Sequence, residues 1–166
     1  VLFLILIVMV HMRNRKLKRT LEEQMAEKRL LDKICADFAA VYYVELNTGS
    51  FETLHINDGT NAKKMNLKQG NNFNSSADQY AVQYLYEKER QEFKDWISTG
   101  HLKKQLSRKE RITYHYRSKP NPNQHEFFEA QAIKIYQDEK HFFALVGFRH
   151  IDDIMEKETT IQNQLK

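Results

Sequence analysis

The chain has 166 residues, of which 41% are hydrophobic, with 26 Lys and Arg against 22 Asp and Glu. That hydrophobic content allows a folded core and argues against wholesale disorder. The single cysteine, Cys35, excludes an intramolecular disulfide, in keeping with a reducing cytosol. Cys35 itself is predicted to be a small buried side chain near the end of a helix.

The first ten residues, VLFLILIVMV, are all apolar. A helix of this length spans roughly 15 Å, about half of the hydrocarbon core of a bilayer. A signal peptide is disfavoured because its basic region would come before the apolar stretch. A buried amphipathic helix is disfavoured because no position is polar. Residues 1–11 are therefore predicted to be the end of a transmembrane helix, and the chain to be a fragment of a longer protein.

A basic cluster follows this apolar stretch with no acidic residue inside it. Without the cluster the chain holds 21 basic and 22 acidic side chains, so the alkaline balance is local. Lys and Arg beside a span mark the cytoplasmic side, where they face anionic lipid headgroups. A nucleic-acid surface would interleave basic and aromatic residues over a folded face, so no nucleic-acid partner is predicted. The cluster consists of Arg13, Arg15, Lys16, Lys18 and Arg19.

Residues 12–38 lack Pro and Gly and are rich in helix formers, which predicts one juxtamembrane helix. Its apolar stripe drifts, so a coiled-coil seam and a single solvated helix both remain open. Residues 39–46 are β-branched and aromatic and predict a strand. Asn47-Thr48-Gly49 is typical of a hairpin connection, and residues 50–56 predict the returning strand.

Residues 60–108 are predicted to be helical, after a turn at Asn57-Asp58-Gly59 and with breaks at Gly70-Asn71-Asn72 and Thr99-Gly100. Ser75 or Ser76 is predicted to cap the helix that runs through ADQYAVQYLY.

Three strands are predicted in the last third, at residues 111–117, 125–137 and 141–151. The loop 119–124 holds both prolines, and a tight turn joins the last two strands near residues 137–140. The order of elements predicts an α+β domain over residues 39–151, with a five-stranded antiparallel sheet and helices on one face. Acidic residues at Asp152-Asp153 suit a helix start, so residues 152–166 are predicted to begin an outgoing coiled-coil linker.

Several short stretches resemble the carboxy-terminal pattern of PAS domains, over residues 39–152. Tyr116-Arg117 ends one strand, Phe127-Phe128-Glu129-Ala130 opens the next, and the stretch from Val146 to Asp152 closes the last. Upstream, EKERQEF resembles the family's acidic-Arg-x-x-aromatic helix. The usual Trp of the penultimate strand is Phe here.

The closing Asp-Ile-Thr triplet of the family also differs, because it reads His150-Ile151-Asp152 in this chain. In PAS domains this triplet ties the sheet to the outgoing helix by polar contacts. Because the triplet is altered here, Arg149 and Asp152 are candidates to take over that task. The alternative is that both are solvated charges at a helix start. The predicted signal-coupling residues are Arg149, Ile151, Asp152 and Ile154.

The whole arrangement is similar to bacterial membrane sensor proteins, in which the outgoing helix enters a histidine kinase or a GGDEF-type diguanylate cyclase domain. The resemblance implies a relay module in the cell membrane, with residues from about 12 onward in the cytoplasm, that forms a homodimer through its flanking helices. Two alternatives stay open. One is a membrane-tethered protein-binding module without output, and the other is an unrecognised membrane-anchored enzyme.

No catalytic motif, nucleotide-binding glycine loop or zinc-binding cluster is present in the sequence, so this fragment is not predicted to be an enzyme. A heme-binding PAS domain needs a His in its helical layer, where His101 is the only one and comes late, which argues against heme. A photoreactive flavin needs a helical-layer Cys, and Cys35 precedes the first strand, so this cofactor is excluded. No cofactor is predicted, and the identity of any small-molecule ligand stays open.

A set of aromatic side chains is predicted to lie between the helices and the sheet. These rings either wall an apolar cavity with hydroxyl groups aimed inward or fill the core solidly. They are Tyr43, Phe51, Tyr80, Tyr84, Phe93, Trp96 and Tyr114.

Overall fold

The computed structural model describes residues 2–57, 72–119 and 126–165, with side chains from Met12 onward. The chain forms two compact units, residues 1–36 and residues 37–166. The predicted turn at 58–59, the helical stretch at 60–71 and most of the proline loop, 120–124, lie outside the described residues.

The first unit is one continuous helix, α1 (Leu2–Ile34). It ends four residues earlier than predicted, and Cys35, which follows it, is buried as predicted. Within the described residues, no helix combines the length and the apolar character that crossing a bilayer requires. Large apolar side chains of α1 are exposed: Met12, Leu17, Leu21, Met25, Leu30 and Ile34.

The second unit is built on a sheet of five strands with the order β2-β1-β5-β4-β3, in which every neighbouring pair is antiparallel. This confirms the predicted α+β fold. Gly49 forms the β1–β2 hairpin with a φ of 76°, a conformation that glycine adopts without strain. The strands are β1 (Ala40–Glu45), β2 (Phe51–Ile56), β3 (Arg111–Arg117), β4 (Phe127–Gln137) and β5 (Phe142–His150).

In the described part of the connection from β2 to β3, three helices cover one face of the sheet: α2 (Phe73–Tyr84), α3 (Glu87–Ile97) and α4 (Thr99–Leu106). The prediction that Ser75 or Ser76 caps α2 is wrong. Asn72 is the cap, and its side chain accepts a hydrogen bond from the Asn74 amide. The earlier start places Phe73 in the first turn of the helix, where its ring is fully buried.

The break predicted at Thr99-Gly100 is instead the first turn of α4. Ser98 caps this helix, because its hydroxyl accepts a hydrogen bond from the His101 amide at 3.2 Å. The last helix, α5 (Asp152–Gln164), begins where the sequence predicts, with two acidic residues in its first turn.

The core lies between the covered face of the sheet and helices α2–α4. Alternate residues of the central strands supply it, since successive side chains of a strand point to opposite faces. Ala130, Ala132 and Ala144 are fully buried there, and such small side chains leave room for large rings opposite them. The largest fully buried rings are Tyr42, Phe73, Phe93 and Phe142.

Candidate functional site

The aromatic side chains beneath the helices pack directly on one another. The ring centroid of Tyr80, on α2, lies 5.3 Å from that of Tyr84 and 5.8 Å from that of Phe93. Trp96 of α3 stacks on Tyr114 of β3 with centroids 5.4 Å apart. These separations are those of contacting aromatic pairs. Six of the seven residues predicted to surround this region lie in the core or pack against it: Phe51, Tyr80, Tyr84, Phe93, Trp96 and Tyr114.

The seventh residue, Tyr43, lies on the opposite face of the sheet, so the prediction for it is wrong. Its ring stacks on that of Phe143 with centroids 5.0 Å apart. The neighbouring Tyr42 occupies the inner face and is fully buried. The strand sequence AVYYVE is apolar at almost every position, so its hydrophobic pattern did not reveal which tyrosine faces the helices.

Two tyrosine hydroxyls meet inside this core. The Tyr80 and Tyr116 hydroxyl oxygens are 3.2 Å apart in a buried hydrogen bond. Burial raises the pKa of both phenols well above the ordinary value, so both are neutral at physiological pH. Burial also raises the pKa of Tyr114 to about 12. These groups therefore act as hydrogen-bond donors and acceptors and not as bases.

Sequence analysis missed Tyr42, Tyr116 and Ser76 as buried residues that carry a hydroxyl group. Tyr116 could have been predicted, because it lies two residues from Tyr114 on the same strand and therefore faces the same side of the sheet. Ser76 is buried, and its hydroxyl has no hydrogen-bond partner within the described ranges.

The described residues contain no group of three or more His, Cys, Asp and Glu side chains that could hold a metal ion. His101 and Cys35, whose positions in the sequence argued against heme and a photoreactive flavin, lie in α4 and directly after α1, respectively. Burial and the neighbouring Asp32 raise the pKa of the Cys35 thiol, which keeps it protonated and weakly nucleophilic.

The junction between the sheet and α5 is closed by contacts from two consecutive residues. Ile151 is buried, and its amide donates a hydrogen bond to the Phe127 carbonyl at 2.9 Å. The Asp152 carboxylate accepts hydrogen bonds from the amides of Glu126 and Phe127 at 2.9 and 3.2 Å. The first turn of α5 is thereby attached to the start of β4. Ile154, the fourth predicted coupling residue, is exposed.

Arg149 also makes a polar contact near this junction, because it binds Glu129 across the strand pair. Its Nε and Nη2 atoms each lie 2.8 Å from Glu129 Oε1. On the other side, His115 Nε2 lies 2.8 Å from Glu129 Oε2, and Gln131 donates to Oε1. Burial alone would raise the pKa of Glu129, but hydrogen bonds from Gln131, His115 and Arg149 outweigh it and lower that pKa.

A second ion pair connects the helical layer to the same junction. Arg117, at the end of β3, binds the Glu126 carboxylate, and its guanidinium lies 5.5 Å from the ring centroid of Tyr86 at the start of α3. The amide of Glu126 is one of the two that Asp152 binds. Side chains from the end of β3, the residue before β4 and the α2–α3 connection thus converge where α5 begins.

Comparison with known proteins gives likeness in fold only. No protein-family model matches the chain, and no curated protein is similar to it. The structure of the PAS domain from Bordetella pertussis BvgS is similar over 86% of this chain and 98% of that chain, with 10% identity and a TM-score of 0.46. A domain described as that of a light and redox sensing histidine kinase from Haloarcula marismortui is similar over 74% of this chain and 97% of that chain, with 15% identity and a TM-score of 0.42. These likenesses carry no function from either protein to this chain.

Proposed function

We propose that the chain is a PAS-type sensory or relay module of a membrane-bound bacterial signalling protein. In this proposal it receives a change through α1 and passes it through α5 to a downstream histidine kinase or diguanylate cyclase domain. The observation that supports the proposal is the junction at Ile151 and Asp152, which attaches α5 to the sheet. A helix that carries a signal must be held by the domain that sends it, and two solvated charges would not hold it.

The energy of this junction suits a switch. A relay needs two packings that differ by a few kcal/mol, so that a modest input changes which one dominates. Each hydrogen bond at the junction contributes about 0.5–3 kcal/mol net, and the upper part of that range applies to the two bonds that the Asp152 carboxylate accepts. The two bonds to Asp152 and the one from Ile151 therefore hold the helix firmly without making its release prohibitively costly.

Dimerisation through the flanking helices belongs to the same proposal. Both helices expose large apolar side chains, among them Leu17 and Leu21 on α1 and Ile154 and Ile161 on α5. A second copy would bury these side chains in a two-helix seam. The basic residues from Arg13 to Arg19 are all exposed, which leaves them free to contact anionic headgroups.

Sedimentation of the whole chain in lipid nanodiscs or detergent tests the dimer. We expect a homodimer that Leu17→Asn with Leu21→Asn weakens at least tenfold. Val82→Asn, at an exposed apolar position on α2, is the matched control and should leave the dimer intact. A strict monomer at high concentration would contradict the proposal.

The reading frame after the codon for Lys166 tests the output. A histidine kinase or GGDEF-type domain in the same frame would support the relay. A stop codon close after Lys166 would contradict the assignment of an output and would favour a binding module instead.

A further inference from the structure

The chain enters and leaves the sheet at neighbouring points. Ala40, the first residue of β1, pairs with Phe148 near the end of β5. One residue earlier, the Ala39 amide donates to the Phe148 carbonyl at 2.7 Å. This follows from antiparallel pairing, which sets the start of one strand beside the end of the other. The residues that follow α1 therefore lie beside those that lead into α5.

A close contact joins the two segments on the outer face of the sheet, the face that α2–α4 do not cover. The ring of Phe38 lies over Gly147 of β5. A Cβ atom at position 147 would stand 2.7 Å from Cδ1 and 2.8 Å from Cε1 of that ring, closer than any side chain tolerates. Glycine in the interior of a strand often marks such a close approach. Only glycine at position 147 admits the ring in this place.

The same face of β5 continues to the junction with α5. Residues two apart on a strand share a face, so Arg149 follows Gly147 on the outer face. Gln131, the partner of Gly147 on β4, donates to the Glu129 carboxylate that Arg149 also binds. Asp152 then attaches the helix. A displacement of the Phe38 ring would thus act on a polar cluster that ends where α5 begins.

The inner face offers a poorer route. Phe93 and Tyr116 are buried there in mutual contact with Tyr80. Moving one of these rings opens a cavity or creates a steric overlap. Either change costs several times more free energy than shifting a half-buried ring at the surface. Phe38 is half-buried, and one wall of its site is a glycine backbone.

We propose that Phe38, seated over Gly147, is the positioning residue through which the segment after α1 controls the attachment of α5. The signal then runs along the outer face of β5 and not through the packed rings beneath the helices. The inference rests on the proposed relay function and names the contact that regulates it.

Amide hydrogen exchange in the whole chain, followed by NMR in nanodiscs, tests this contact. The reporters are the amides of Glu126, Ile151 and Met155, whose hydrogen bonds form the junction and the first turn of α5. Phe38→Ala and Gly147→Ala should each speed their exchange about tenfold, because each removes the ring from its seat. Phe38→Tyr keeps the ring and should exchange at the rate of the parent chain.

A double-mutant cycle separates this role from general destabilisation. If the methyl group at position 147 acts only by displacing the Phe38 ring, the reporter amides of the double variant should exchange little faster than those of Phe38→Ala alone. If the rate increases of the two single variants multiply in the double variant, the inference is overturned. The amides of Ala132 and Ala144, in the centre of the sheet, report global unfolding and normalise the rates. If Gly147→Ala fails to fold, Phe38→Ala and Phe38→Tyr carry the test.

Two matched controls complete the experiment. Phe143→Ala removes another outer-face ring, which stacks on Tyr43. Gly100→Ala adds a methyl group where nothing lies within 4 Å. Both should change the reporter amides less than about twofold. Reporter rates no faster in Phe38→Ala than in Phe143→Ala would overturn the inference and leave the relay proposal standing. A strict monomer with intact Phe38 coupling would overturn the relay and leave the contact standing.

Discussion

The two faces of the sheet are made from alternating residues of the same strands, yet they differ in chemistry. The inner face consists of aromatic rings in contact with one another, and the hydroxyl groups among them, such as those of Tyr80 and Tyr116, are neutral. The outer face, toward α5, carries a buried carboxylate, Glu129, held by donors from three strands. Burial without charge gives cohesion, whereas directional polar contacts give a defined attachment that can be released. We infer that the inner face supplies stability and the outer face connects the sheet to the helices beside it.

The largest expected effect is on the inner face. Phe93→Ala should lower the free energy of unfolding by about 3–5 kcal/mol, because it leaves a cavity among fully buried rings. Tyr43→Ala, on the outer face, should cost about 1 kcal/mol. Urea unfolding followed by the fluorescence of the single tryptophan, Trp96, measures both. Equal losses would break the distinction between the two faces.

The next effect concerns the attachment of α5. Asp152→Ala should cost about 1–2 kcal/mol, since it leaves the Glu126 and Phe127 amides without their acceptor. Asp152→Asn keeps an acceptor oxygen and should cost less. Asp153→Ala is the matched control, because it removes an exposed acid from the same helix turn and so matches any effect of the helix dipole. Urea unfolding measures the three variants, and a loss in Asp153→Ala as large as in Asp152→Ala would contradict the role of the junction.

A smaller effect is expected for the buried hydroxyl pair. Tyr116→Phe should cost about 0.5–1.5 kcal/mol at neutral pH. Burial raises the pKa of Tyr116, so the stability that its neutral phenol contributes is complete below the ordinary pKa of 10.0 and is lost as pH rises above it. Unfolding measured at pH 7 and above pH 10 should show a shallower alkaline loss in Tyr116→Phe than in the parent chain. An unchanged alkaline slope would contradict the burial of this group.

The smallest expected effect is on the free energy of unfolding at acid pH, and it concerns the outer face. The pKa of Glu129 is lowered in the folded chain, so its contribution is complete above the ordinary pKa of 4.5 and is lost as pH falls through the native value. Glu129→Gln should therefore flatten the fall of stability in acid, measured by urea unfolding between pH 7 and pH 3. Glu156→Gln, an exposed carboxylate on α5, is the control for the loss of one acid. A slope as steep in Glu129→Gln as in the control would show that the cluster is not formed in solution.

Much of the fold followed from local pattern. Residues 111–117 alternate apolar and polar side chains, and Asn47-Thr48-Gly49 carries turn chemistry, so strands and hairpin were predictable. Where the pattern was ambiguous the prediction failed. Both faces of β1 are apolar, so Tyr43 was placed with the helices. The start of α2 was missed because Ser75 and Ser76 are good cap residues, whereas the burial of Phe73 decided for Asn72.

At the junction between the sheet and α5, too, the sequence predicted some features and missed others. The resemblance to the closing triplet of PAS domains marked Arg149, Ile151 and Asp152 as candidate coupling residues. It did not show what they bind, because their partners, Glu126 to Glu129, belong to a segment twenty or more residues earlier in the chain. The contact between Phe38 and Gly147 was invisible for the same reason, since over a hundred residues separate them along the chain.

The sequence by itself determined the type and order of the elements, the antiparallel α+β architecture and the residues at which the last helix begins. These properties depend on hydrophobic period, turn residues and charges next to one another along the chain. Only the tertiary structure decided which tyrosine of β1 faces the helices, which carboxylate Arg149 holds and why position 147 is glycine. Those choices depend on pairing register and on space left between residues distant in sequence, and a local pattern records neither.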